Sequence, residues 1–123
     1  MMGHHEFELR DEYMVINISG TYSRNDFFSV IEEIKANCEK AKLTKVLINA
    51  LELRDFNLST TDRYFLGEKL GQEFKTYIKL AVVWSAEHID QFAQIVAANR
   101  GVNMHVGFDL KTAEEWLLKG PGE

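Results

Sequence analysis

Two short runs of apolar residues, separated by a longer amphipathic stretch, are the feature that most narrows the fold of this chain. The first run covers residues 45–50 (KVLINA) and the second covers residues 77–84 (YIKLAVVW). Runs of this kind are typical of strands that are covered on both faces, as in parallel sheets. Because parallel neighbours need a crossover between them, the sequence predicts helices packed outside a largely parallel sheet.

The rest of the chain extends this alternation. Phe7 and Leu9, and then residues 14–18, show the two-residue period of strands, and residues 102–108 show it again near the end. Helices are predicted to begin at Ser23, at Ser59, at Ser85 and at Asp109 or Thr112. The predicted order is ββαβαβαβα, an α/β fold with a five-stranded mixed, mostly parallel sheet and four helices.

Helical spacing identifies the residues expected in the core. Ser23 with Asp26 and Ser59 with Asp62 have the spacing of helix N-terminal caps. Apolar residues follow each cap at intervals of three and four, which predicts two buried stripes: Phe27, Val30, Ile31, Ile34 and Cys38 in the first helix, and Leu66, Leu70 and Phe74 in the second. Cys38 is therefore expected to be a buried, unreactive thiol.

Composition limits the class of protein. The chain of 123 residues has a net charge of −5, and it contains neither a block of basic residues nor an apolar run long enough to span a membrane. Nucleic acid is therefore not an expected partner. Cys38 is the only cysteine, which excludes an intramolecular disulfide and fits the reducing cytoplasm. We expect a single domain over residues 1–123, with residues 1–5 as a flexible N-terminus.

The sequence contains no convincing catalytic constellation. It has neither a Gly-x-Gly-x-x-Gly nor a Gly-x-x-x-x-Gly-Lys-Ser/Thr motif, which cradle nucleotide phosphates. A triad of Ser59, His88 and Asp109 can be drawn, but no Gly-x-Ser-x-Gly elbow surrounds the serine. We therefore expect a protein that is not an enzyme and that uses neither a cofactor nor a metal.

Residues 46–70 carry the most specific signal. They read as a strand containing Asn49, a polar loop over residues 51–58, and a helix beginning at Ser59. With the predicted order of elements, this segment resembles the anti-sigma-factor-antagonist (STAS) domain, in particular its SpoIIAA-like branch, which shares features with the Sec14-type lipid-binding fold. Signalling members carry Asp-Ser-Ser-Gly at this helix start, and the second serine is the phosphoacceptor.

The resemblance implies a non-enzymatic regulatory module that binds a protein partner. Ser59 stands at the phosphoacceptor-like position, but the surrounding motif is degenerate, because Asn57, Leu58 and Thr60 replace the aspartate, the first serine and the glycine. The expected partner surface comprises the loop and the first helical turn: Arg54, Asp55, Phe56, Asn57, Leu58, Thr60, Arg63 and Tyr64. The sequence leaves homodimerisation open.

The Sec14-type relatives imply an alternative function, binding of a small apolar or lipid-like ligand. That function requires an internal cavity, for which the candidate lining residues are Phe28, Phe65, Phe92 and Trp116. A chain of this length has little volume to spare once its core is filled, which argues against a large cavity. The sequence therefore leaves two candidate functions, protein binding and the binding of a small apolar ligand.

Overall fold

The computed structural model describes residues 3–56, 58–75, 77–85, 95 and 101–119. The five strands in these residues form one sheet in the order β1-β2-β3-β4-β5. β1 is antiparallel to β2, and the three other neighbouring pairs are parallel. The predicted five-stranded, mostly parallel sheet is therefore confirmed, with strands β1 His4–Leu9, β2 Met14–Tyr22, β3 Lys45–Phe56, β4 Lys79–Val83 and β5 Asn103–Gly107.

Three helices lie in the described residues. They are α1 (Arg24–Ala41), α2 (Thr60–Phe74) and α3 (Leu110–Leu118), and each begins at a position that the sequence predicts. The fourth predicted helix, beginning after Ser85, lies outside the described residues apart from Ile95, which is buried.

The two faces of the sheet carry separate apolar clusters. α1 and α2 pack on one face, where Ile34, Leu70 and Phe74 meet inward side chains such as Ile16 and Leu80. α3 packs on the other face, where its buried residues meet the alternate side chains of the strands: Ala113 and Leu117 contact Val15, Leu47, Ala81 and Val83. The buried stripes predicted for α1 and α2 are confirmed, except that Phe27 is only partly buried.

β3 is longer than the sequence predicts. The predicted loop at residues 51–58 is wrong for residues 51–56, which continue the strand beside β2 as far as the pair Tyr22–Phe56. Backbone pairing with β2 keeps this segment extended, and Leu53 is buried in the core. β4 pairs with β3 only up to Asn49, so the second half of β3 lies beyond the end of β4.

The N-terminal strand also begins earlier than predicted. β1 starts at His4, where residues 1–5 were predicted to be flexible, and His4 and His5 pair with Ser19 and Ile18 of β2. The hydroxyl of Tyr22 donates a hydrogen bond to the carbonyl oxygen of His4 at 3.0 Å. These contacts come from β2, and periodicity within the first few residues does not reveal them.

Candidate functional site

Two helix N-termini lie side by side at one edge of the sheet. β2 ends at Tyr22 and β3 at Phe56, and these two residues are register partners. α1 and α2 begin within a few residues of these strand ends. Open parallel sheets place their binding sites beyond the carboxyl ends of the strands, so this edge of the sheet is the candidate functional site.

Both helices begin with a complete capping box. The Oγ atom of Ser59 accepts the backbone N–H of Asp62 at 3.0 Å, and the Asp62 carboxylate accepts the N–H of Ser59 at 3.2 Å. Ser23 and Asp26 make the equivalent pair in α1, at 3.3 and 2.9 Å. The hydroxyl of Ser59 therefore has a structural role, because it satisfies a donor at the exposed helix end.

Arg24 links the two helix N-termini. Its Nη1 atom lies 3.4 Å from Oδ1 of Asp62, and its guanidinium carbon lies 5.9 and 5.8 Å from the ring centres of Phe28 and Phe65. The same carboxylate that caps α2 therefore holds the first residue of α1. A groove of about 320 Å³ between the helices is lined by Arg24, Phe28, Phe65, Glu68, Lys69 and Gln72.

Further along the groove, Lys69 carries a network of ion pairs between α1 and α2. Its Nζ atom lies 3.1 Å from Glu32 and 3.4 Å from Glu73, and Glu73 also pairs with Lys35 at 3.3 Å. Partial burial opposes the ionisation of Glu73, but the hydrogen bond from Lys35 and the neighbouring positive charges outweigh it and lower the pKa of Glu73. The network therefore joins α1 and α2 at a second place, beyond the Arg24 contact.

Aromatic side chains are exposed in the first turns of α2. Tyr64 is 52% exposed and Phe65 41% exposed, and their rings meet edge to face with centres 5.9 Å apart. Ser59 and Thr60 are exposed beside them, and Arg63 is half-buried. The structure therefore brings four sequence-predicted residues to one surface: Ser59, Thr60, Arg63 and Tyr64.

The remaining residues of the predicted partner surface lie in β3, in the core or outside the described residues. Arg54, Asp55 and Phe56 belong to β3, and of these the side chain of Arg54 is described and is exposed. Leu58 is 4% exposed and belongs to the core, so the prediction that it is offered to a partner is wrong. Its burial has a simple reason, because an apolar side chain directly before the N-cap can pack beneath the helix that it precedes. Asn57 lies outside the described residues.

Sequence reasoning did not find the contribution of α1 to this surface. Arg24 is not among the residues that the sequence predicts, and Phe28 and Phe65 are predicted to line an internal cavity, whereas they line the outer groove. A signal was available in the spacing of Arg24 and Phe28, which lie one helical turn apart and therefore share a face of α1. The contact of Arg24 with Phe65 joins two helices, and the spacing of residues within one helix does not reveal it.

A partly open apolar cavity is present, but its lining is not the one that the sequence predicts. It measures about 50 Å³ and lies between the sheet and the first two helices. Of the predicted lining residues, Phe28 and Phe65 face the outer groove, Trp116 stacks on His105 on the other side of the sheet, and Phe92 lies outside the described residues. The lining residues that the structure describes are all apolar: Ile18, Phe27, Val30, Ile31, Ile48, Ala50, Leu66, Leu70, Leu80, Val82, Trp84, Ile95 and Met104.

The geometry gives no support to a hydrolytic triad. Ser59 caps α2 and Asp109 caps α3, and these helices pack on opposite faces of the sheet. His88, the third member, lies outside the described residues. Across the described ranges, no group of three His, Cys, Asp or Glu side chains is arranged to hold a metal ion. No described helix combines the length and apolarity needed to cross a membrane.

Comparisons with known proteins place the chain at the level of the fold. No protein-family model matches it, and no curated protein matches it in sequence. Solved structures do match. An uncharacterised protein of the DUF3478 family from Shewanella loihica PV-4, described as having a SpoIIAA-like fold, is 23% identical, with a TM-score of 0.56 over 94% of this chain and 93% of its own.

Anti-sigma factor antagonists are among the matching structures. The protein from Mycobacterium paratuberculosis is 11% identical, with a TM-score of 0.69 over 96% of both chains. SpoIIAA in its unphosphorylated form is 14% identical, with a TM-score of 0.58 over 92% of this chain and 94% of its own. The chain therefore has the SpoIIAA-like α/β fold, as the sequence resemblance implied.

Proposed function

We propose that this protein is a non-enzymatic regulatory module that binds a protein partner through the N-terminal end of α2 and the adjoining start of α1. One observation carries the proposal: Tyr64 and Phe65 are exposed beside Arg24 at the sheet edge where this fold class places its sites. Tyrosine, phenylalanine and arginine are enriched in protein interfaces, and tyrosine and arginine are also enriched among the residues that contribute most of the binding energy. We call Arg24, Phe28, Ser59, Tyr64 and Phe65 the α1–α2 surface.

The mode of action is carried over from proteins of the same fold. The matching structures include antagonists of anti-sigma factors, which act on other proteins. The identities of 11% and 14% do not extend to a particular partner, and we propose only the class of ligand, a protein. We also place the module in a reducing compartment such as the cytoplasm, because Cys38 is a free thiol.

Ser59, in our proposal, acts as a helix cap, and binding does not require its phosphorylation. The Asp62 carboxylate lies 3.2 Å from the backbone nitrogen of Ser59, so a phosphate on this serine would be added beside a negative charge. Thr60 stands where the phosphorylated relatives have glycine, and its branched side chain narrows the access of a kinase to the hydroxyl.

The proposal is tested by capturing partners from the native organism and identifying them by cross-linking and mass spectrometry. The identified partner is then titrated against the wild type, Tyr64→Ala and Phe65→Ala by calorimetry. We expect each substitution to weaken binding about tenfold or more, as is usual for a central interface residue. The matched control is Tyr77→Ala, since Tyr77 is a 70% exposed aromatic residue beyond the far end of α2.

Variants of Ser59 separate a constitutive module from a phosphorylation switch. A constitutive module predicts that Ser59→Ala and Ser59→Glu bind the partner with affinities within about threefold of the wild type. Loss of binding by Ser59→Glu alone would contradict that prediction and favour the switch. Equal binding by Tyr64→Ala, Phe65→Ala and Tyr77→Ala would move the interface away from the α1–α2 surface.

Binding of a small apolar ligand is the second candidate function, and the apolar cavity favours it. About 50 Å³ is several times the volume that one water molecule requires, and a void with only apolar lining binds apolar molecules rather than water. The volume limits the ligand to a few heavy atoms. Native mass spectrometry of gently purified protein tests this candidate, because retention of an additional mass supports it and its absence counts against it.

A further inference from the structure

A ladder of polar side chains crosses three strands on the sheet face that carries α3. Asn17 of β2 donates a hydrogen bond to the carboxylate of Glu8 at 3.0 Å, and Asn49 of β3 donates to the Oδ1 atom of Asn17 at 2.9 Å. The backbone N–H of Leu51 donates to Oδ1 of Asn49 at 3.2 Å. This face lies opposite the α1–α2 surface, and the proposed function makes no use of it.

The backbone changes register next to this ladder. Asn17 and Asn49 are register partners, and directly after them the pairing of β2 with β3 shifts, so that Ser19 faces Glu52. Such irregularities redirect side chains and are found more often than average beside binding sites. Both asparagines are half-buried on a face whose neighbouring positions, Val15 and Leu47, are apolar. Core packing alone does not explain two amides at these positions.

The ladder forms one wall of a groove, and the first turns of α3 form the other. The groove has a volume of about 270 Å³, with Val15 and Leu47 as its apolar floor. The polar residues that line it are Glu8, Arg10, Tyr13, Asn17, Asn49, Lys111 and Glu114, and Leu110 completes the wall on α3. This combination of an apolar floor and several convergent polar groups is typical of small-molecule sites.

The hydrogen-bonding groups of the groove favour a ligand rich in acceptors. The carboxylate of Glu8 is engaged by Asn17 and lies 3.5 Å from Arg10, and the carboxylate of Glu114 accepts the hydroxyl of Tyr13. Burial raises the pKa of Tyr13, and Glu114 raises it further, so this hydroxyl remains a donor at neutral pH. One oxygen of each carboxylate therefore has a donor within the protein, and the charges of Arg10 and Lys111 balance those of Glu8 and Glu114.

Some hydrogen-bond donors of the groove remain available to a ligand. Each asparagine amide has two N–H groups and uses one of them in the ladder, so Asn17 and Asn49 retain one donor each. Register partners on neighbouring strands lie roughly 5 Å apart, which places these donors in a row. Lys111 adds an exposed ammonium group on the α3 side of the groove. A carboxylate satisfies such a set of donors, whereas a cation does not.

We propose that this groove binds a small organic acid, whose carboxylate is held by Asn17, Asn49 and Lys111 and whose short apolar body lies on Val15 and Leu47. The site is separate from the α1–α2 surface, so this proposal does not depend on the proposed protein partner. Its volume of about 270 Å³ suits a compact ligand.

The test uses three probes of one carbon skeleton, namely butyrate, butyramide and butylammonium, titrated into the isotope-labelled full chain and followed by NMR of the backbone amides. Butyrate is expected to bind with a dissociation constant on the order of 5 mM, as befits a ligand of this size, and to shift the signals of Asn17, Asn49 and Lys111. Butyramide should bind more weakly and butylammonium not at all.

Two variants at opposite ends of α3 provide the control. Lys111→Gln removes the ammonium group and should weaken butyrate binding about tenfold, the usual effect of losing one charge-assisted hydrogen bond. Lys119→Gln changes the same residue type at the C-terminal end of the helix and should leave binding unchanged. Shifts outside the groove, equal responses to all three probes, or equal affinity of the two variants would overturn the proposal.

Discussion

Arg24 and Asp62 connect the first two helices through a single carboxylate. Oδ1 of Asp62 lies 3.4 Å from the guanidinium of Arg24, while Oδ2 accepts the N–H of Ser59 and so caps α2. Phe28 and Phe65 contribute ring faces to the same guanidinium. The N-terminal ends of α1 and α2 are therefore held together by one ion pair and two cation–π contacts.

Replacing Arg24 should destabilise the protein modestly. We expect Arg24→Ala to lower the free energy of unfolding by about 1 kcal/mol, because its ion pair and ring contacts are partly exposed to solvent. Arg24→Lys should lose less, since an ammonium keeps the charge but stacks less well on aromatic rings. Urea denaturation measures both variants, and unchanged stability of Arg24→Ala would contradict this prediction.

The two capping serines should contribute similar amounts of stability. Ser59→Ala and Ser23→Ala each leave a helix N–H without its acceptor, and each should cost about 1 kcal/mol in urea denaturation. Ser59→Asp should keep most of the stability, because aspartate is an equally good cap. Thr60→Ala, at the next position, serves as the control and should change stability by less than about 0.5 kcal/mol.

Lys79 should anchor the C-terminal helix. Its Nζ atom donates to the carbonyl oxygens of Trp116, Leu117 and Lys119 at 2.8, 3.3 and 3.0 Å, and it lies 4.6 Å from the ring centre of Trp116. Lys79→Met should cost about 2 kcal/mol, because these are hydrogen bonds from a charged donor to the helix end. Amide hydrogen exchange should accelerate in α3 before it does so elsewhere.

Lys45 provides the matched control for this variant. It is the register partner of Lys79 on β3, and it makes none of the contacts with the end of α3 that are given above for Lys79. Lys45→Met should therefore leave the exchange of α3 as in the wild type. Equal acceleration in both variants would point to a general effect of losing charge at this edge of the sheet.

Alkaline pH should destabilise the fold through two buried groups. Burial raises the pKa of Cys38 to about 11 and that of Tyr22 to about 12. Each group binds its proton more tightly in the folded state, so stability is fully present below pH 9 and falls as the pH rises toward these values. Urea denaturation between pH 8 and pH 11 should follow this decline, and Cys38→Ala should make it shallower.

The reactivity of Cys38 provides a second readout of the same burial. The thiol is 2% exposed and protonated at neutral pH, so a thiol reagent should modify it only as fast as the protein opens. Denaturation in urea should restore the rate of an ordinary cysteine. Rapid modification of the folded protein would contradict both the burial and the raised pKa.

Some residues in and around the α1–α2 surface can be predicted from the local sequence, and others depend on contacts with distant segments. Ser59 was recognised as an N-cap because its acceptor role depends only on Asp62, three residues away. The prediction for Leu58 is wrong because an apolar residue before a cap can point either to solvent or to the core, and local sequence does not distinguish the two. Arg24 was missed because two of its partners, Asp62 and Phe65, lie on another helix.

Local sequence patterns are sufficient to predict the class of fold: apolar runs indicate the central strands, stripes at helical spacing indicate the helices, and serine caps mark the starts of α1 and α2. Each of these patterns lies within a short segment of the chain, where the spacing of apolar residues predicts which side chains are buried. The tertiary structure decided the length of β3, the pairing of Asn17 with Asn49 and the position of the cavity. Each of these depends on which distant segment lies alongside, and the spacing of neighbouring residues carries no record of that.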